Sequence, residues 1–155
     1  MDAAGLIAAT RHALARAREM PDIVAEARQA QALAEAVGSR LALQGPFEAR
    51  AAARVLSESG GRASGALRRI ALCAGGSGDL RAGRLTELRD PWMVLTDLGE
   101  LLGEVGIALV GVACACEEDA VYWMCIEAID AADETSDRIG GLLRRLALRE
   151  RGGAA

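Results

Sequence analysis

The sequence predicts an all-α fold, a helical bundle of about five main helices, and three observations carry that reading. Aromatic residues make up 3% of the chain, alanine dominates and β-branched residues are few, a composition suited to helices packed closely through small side chains and not to a sheet. Apolar residues recur at spacings of three and four through most of the chain. The stretch Leu101–Cys116 carries no polar side chain from Val105 onward, so a helix there is apolar on every side and is expected to be the buried heart of the fold. At 155 residues the chain fits one domain, 1–155, whose core needs no disulfide staple.

The elements follow in order. Asp2 can cap a first helix reaching about Arg18, with Leu6, Ile7, Thr10, Leu14 and Ala17 along one face. Met20-Pro21 opens a second, because proline suits the first helical turn and excludes its predecessor from helical geometry. Ile23, Ala27, Ala30, Ala34, Val37 and Leu41 then form a seam rich in alanine, so the partner backbone must come close. Gly38 can end this helix, but the pattern continues to Leu43, and Gly45-Pro46 is the stronger stop. A third helix is expected from about Phe47 to Leu56; glycines at 60, 61 and 65 then break the periodicity, leaving a short helix around Ala66–Leu72. The Gly-rich tract at about 74–84 reads as a mobile loop. Asp90-Pro91 pairs an N-cap with a first-turn proline, opening a helix over 91–115. The last helix, 118–149, starts in Glu117, Glu118 and Asp119 and ends in arginines, as the helix dipole favours. These two make a long antiparallel hairpin.

Faces can be assigned at 100° per residue. Val94, Leu98, Leu101, Leu102, Val105, Leu109 and Val112 share the core side of helix 91–115, with Asp97, Glu100 and Glu104 on another. Between them Gly99, Gly103 and Gly106 are expected to form a groove for close helix packing. On the last helix Val121, Cys125, Ala128, Ala132, Ile139, Leu142, Leu143 and Leu146 face inward; Glu127, Asp130, Asp133, Glu134 and Asp137 face outward.

Charge is segmented. Every Lys/Arg position is arginine, and the net charge of −4 hides a run, Asp90–Asp137, of twelve acids and no base, flanked by arginine-rich segments. The negative total and the lack of aromatic interleaving argue against nucleic acid. Asp97, Glu100 and Glu104 interrupt the apolar stretch, so no membrane span is expected, and without a secretion signal the chain is expected to be cytoplasmic, with its four cysteines reduced. Cys114 and Cys116 diverge by about 200° on a helix. They cannot share a metal unless the helix ends between them and Cys125 swings in.

One catalytic alternative stands beside a non-enzymatic reading. Carboxylates on adjacent antiparallel helices, Asp97, Glu100, Glu104, Glu127 and Asp130, can hold Mg²⁺ for nucleotide or phosphate hydrolysis, with Glu100, Glu104, Glu127 and Asp130 as the catalytic set. Glu100-Leu-Leu-Gly-Glu104 with Glu127-Ala-Ile-Asp130 resembles the paired acidic helices of all-α nucleoside-triphosphate pyrophosphatases, but its first pair is spaced by four instead of three and that family's lysines are missing. The outward acids otherwise simply meet water. A single histidine, His12, removes carboxylate-bridged di-iron sites and His-based triads. Gly75-Gly76-Ser77-Gly78 lacks the lysine of a phosphate loop. No cofactor is expected.

Trp123 and Tyr122, in an acidic rim, are candidate anchors for a protein partner unless the first helices or the Gly-rich loop cover them. Ile107, Val110 and Gly111 need a cover that is either the first two helices or a second copy of the chain. The expected function is therefore protein–protein interaction in a regulatory or adaptor role, as a homodimer, with enclosure of an apolar small molecule beside the glycine groove as a further alternative. Gly103-Glu104-Val105-Gly106-Ile107-Ala108-Leu109-Val110-Gly111-Val112-Ala113-Cys114, Tyr122-Trp123 with Glu127–Glu134, Leu6–Leu14 and Pro21–Ala27 together resemble a family of small uncharacterised actinobacterial proteins. That resemblance implies no activity and carries over no catalytic residue.

Overall fold

The computed structural model describes residues 1–73 and 78–153, and the side chains of all of these but Cys73 and Gly153. Among the described residues five helices follow one another: α1 (Ala3–Arg16), α2 (Met20–Gln44), α3 (Arg50–Cys73), α4 (Pro91–Ala115) and α5 (Asp119–Gly153). Single 3-10 turns at Phe47–Ala49 and Arg81–Arg84 join them. The start signals act as expected. Asp2 accepts from the Gly5 amide at 2.8 Å, proline occupies the first turn of α2 and α4, and the Asp90 carboxylate accepts from the Met93 amide.

The heart of the bundle is α2, not α4. Residues Gln29–Ala34 are all buried, and α2 is the helix that touches each of the other four. Its alanine seam is what allows this, since small side chains let several neighbours approach at once. The closest approach is to α3. A Cβ added at Gly38 would meet the Ser57 nitrogen at 2.6 Å, and one added at Gly60 would meet the Glu35 nitrogen at 2.6 Å, so each helix presses backbone on backbone at the other's glycine. Gly38 therefore sits inside α2 as a contact point and does not end it.

α3 corrects the expectation of a helix broken after Leu56. It runs unbroken through Gly60, Gly61 and Gly65, because the contact at Gly60 and a buried polar crossing outweigh the intrinsic helix cost of glycine, about 1 kcal/mol per residue. In that crossing Ser59 Oγ and Thr135 Oγ1 lie 3.0 Å apart between α3 and α5.

Of the tract at 74–84, residues 74–77 lie outside the described residues, while 78–84 begins a strap laid across α2. Gln29 donates to the Asp79 carbonyl and accepts from the Arg81 amide, and Arg81 forks onto Glu26 and reaches Thr10. Arg40 donates to the carbonyls of Leu85 and Thr86, and the Ala3 amide donates to the Glu87 carbonyl.

α4 and α5 form the expected antiparallel hairpin. The core side of α4 is buried from Val94 to Val112, and α5 packs with Cys125, Ala128, Ala132, Ile139 and Leu142. The outward acids of α5 are all exposed.

Candidate functional site

The rest of α4 decides where function can reside. Trp92, Met93, Thr96, Glu100, Gly103, Ile107, Val110, Gly111, Cys114 and Ala115 are exposed and recur at three and four, so they share one outer stripe running the length of the helix. Ile107 is 75% exposed and Val110 47%. Full enclosure of this stretch is thus overturned. α1, α2 and α5 occupy the Leu/Val side, and among the described residues no further helix lies on the outer side. By length and composition α4 is apolar enough to cross a bilayer, with a window of mean hydropathy 1.8, so the three acids do not remove it from that class. Much of that hydropathy comes from the leucines and valines that build the core of this bundle.

Within the chain, the glycine groove is not a packing site. Nothing lies within 4 Å of a Cβ placed on Gly103 or Gly106, and Gly99 makes only an ordinary contact with Ile139. Close packing is at Gly38 and Gly60 instead; glycine spacing on α4 looks the same in sequence, and only the partner helix distinguishes the two.

The α4 acids face an arginine. Arg11, from α1, donates to both oxygens of Glu104 and, at 3.3 Å, to Glu100. The hydrogen bond and charge of Glu104 raise the Arg11 pKa above its usual value, with Glu100 and Asp97 adding to it. Glu127 and Asp130 lie exposed on α5, and Glu127 borders a cleft against α3 lined by Leu67, Ile70 and Met124. The two acidic sets are therefore not brought together, and among the described residues no three His, Cys, Asp or Glu side chains converge as a metal site.

α4 ends at Ala115, between Cys114 and Cys116. Cys114 is exposed and Cys125 buried; burial and then the neighbouring Cys116 push the Cys125 thiol pKa up, the opposite of an activated nucleophile. Cys125 is thus packed as a small apolar residue, and Cys114 is not.

Tyr122 and Trp123, 40% and 63% exposed, open α5 with their rings edge to face at 5.4 Å. Beside the hairpin turn an open groove of about 710 Å³ lies between the α1–α2 junction and the end of α4. Met20, Ile23, Ala108, Val112 and Val121 make its apolar lining, and Glu19, Glu117 and Glu118 outnumber Arg18 on its rim, which is net acidic. Sequence reasoning missed this groove, since Met20 and Ile23 come from a helix start read only as packing.

The family of unknown function DUF6099 has a profile that matches residues 1–145. The chain belongs to that family. The DUF6099 match runs from α1 into the last turns of α5, so it takes in the outer stripe, the aromatic pair and the groove. No curated protein and no solved structure matches the chain.

Proposed function

We propose that this DUF6099 protein is a non-enzymatic, cytoplasmic helical-bundle protein that acts by protein–protein association, in a regulatory or adaptor role, and works as a homodimer through the outer face of α4. The carrying observation is the outer stripe itself: from Gly103 to Ala115 it holds Ile107, Val110, Gly111 and Cys114 in the open with no charged side chain among them. A contiguous apolar surface of this kind marks association on a protein whose core is otherwise complete. Tyr122 and Trp123 extend it with the residue types that anchor interfaces. Size-exclusion chromatography with light scattering at micromolar concentration is expected to give twice the chain mass of 16.1 kDa. A monomer overturns the reading.

The groove of about 710 Å³ favours a second reading, binding of an apolar small molecule with a cationic end, which would meet the acidic rim. Displacement of an environment-sensitive fluorescent dye by long-chain amines, weakened by Ile23→Glu, is the expected result. Nothing in the geometry favours the Mg²⁺-dependent hydrolase, whose α4 carboxylates Arg11 already engages.

A further inference from the structure

We infer that the outer stripe of α4 is covered by a second copy of this chain lying antiparallel, the two-fold axis passing beside Gly103, so that the acidic start of each α5 meets the basic end of the other. The inference rests on the homodimer reading and adds to it the orientation and the charges that set it.

The stripe has its midpoint at Gly103, with Trp92 and Met93 at one end and Cys114 at the other. A two-fold there lays the whole stripe on itself and puts the residue without a side chain at the crossing, where backbones must approach. The large apolar groups at the start of the stripe then cover the small ones at its end. Glu100, the one charge on the stripe, enters already held by Arg11 at 3.3 Å.

The neighbouring helix supplies the argument that the occupant is another copy. Gly99 packs on Ile139, so the level of Gly103 on α4 corresponds to the middle of α5. The same axis therefore overlays α5 on its partner end to end. α5 is strongly polar in charge: Glu117, Glu118 and Asp119 stand at its start, and Arg144, Arg145, Arg149 and Arg151 outnumber Glu150 at its end, Arg149 lying 3.8 Å from Glu48 of its own chain and Leu148 61% exposed among the arginines. Antiparallel overlay sets arginines on carboxylates at both ends and Leu148 near the exposed Tyr122; a parallel pair forgoes this complementarity. Such fields select partner and orientation more than they add affinity.

Cross-linking reads the orientation. In a Cys73→Ser, Cys116→Ser background the two Cys114 thiols of an antiparallel dimer stand about 33 Å apart along the helices, beyond a short bismaleimide. Cys114 alone is expected to give no cross-linked dimer, and adding Met93→Cys is expected to give one, through Cys114 of one chain and residue 93 of the other. Arg149→Glu with Arg151→Glu is expected to weaken the dimer at least tenfold in Kd, and Glu118→Arg with Asp119→Arg in the same chain to restore it. If light scattering shows a dimer but Cys114 links to itself, if Met93→Cys adds nothing, or if charge reversal changes Kd less than twofold, the antiparallel arrangement is overturned and the homodimer stands. A monomer, whether or not it binds lipid vesicles, overturns both.

Discussion

Asp90 is the one non-glycine among the described residues with positive φ, 43°, and it holds that conformation while capping α4. Asparagine keeps both the cap and the tolerance for left-handed backbone, so Asp90→Asn is expected within a few tenths of a kcal/mol of the parent in urea unfolding; alanine loses both, and Asp90→Ala is expected to cost about 1–2 kcal/mol. The two arginine forks differ by burial. Arg81 and Glu26 side chains are 26% and 15% exposed, and Glu26→Gln strips the charge from a sheltered pair, an expected loss of about 1–3 kcal/mol in the same measurement. Arg11→Ala, at a fork open to solvent, is expected to cost less than about 1 kcal/mol.

Cys125 adds a pH dependence whose sign follows from its burial. The folded protein holds the thiol proton more tightly than the unfolded chain does, so the unfolded state releases it first and stability falls as pH rises through the ordinary thiol range. Cys125→Ala is expected to flatten that alkaline slope. A thiol reagent is expected to label exposed Cys114 in the native protein and Cys125 only after unfolding.

Between elements, glycine has two opposite meanings here. Gly60→Ala and Gly38→Ala drive a methyl into backbone at 2.6 Å, and the repulsion exceeds the gain in helix propensity, so each is expected to destabilise by about 1–3 kcal/mol in thermal or urea unfolding. Gly65→Ala, in the same helix α3 but with nothing within 4 Å, is expected to stabilise by about 0.5–1 kcal/mol. The opposite signs test whether the α2–α3 crossing, and not intrinsic propensity, keeps α3 continuous.

For the whole molecule, the core and the outer stripe are separable. Val94 to Val112 on the inner side of α4 are buried, and Ile107 touches mainly water. Ile107→Glu is therefore expected to leave the unfolding free energy of the isolated chain within about 0.5 kcal/mol while abolishing association in light scattering. Loss of fold together with association would mean that the stripe belongs to the core after all.

What was legible in the sequence was local or periodic. Proline and aspartate at helix starts located α2 and α4, because capping and first-turn geometry depend on neighbours in the chain. The three-and-four spacing separated buried from exposed faces on α1, α4 and α5, because burial follows helical phase. What only the tertiary structure decided was which surfaces meet. Gly60 read as a break and Gly38 as a weaker stop than Gly45-Pro46, and both proved to be contacts; Gly103 and Gly106 read as contacts and proved to be open within the chain. Glu100 and Glu104, which the sequence offered as part of an alternative metal set, proved to be the partners of Arg11, 89 and 93 residues away in sequence. A residue's phase says which way it points, but its neighbour is set by packing across the whole chain, and among the described residues that packing leaves one apolar side of α4 bare.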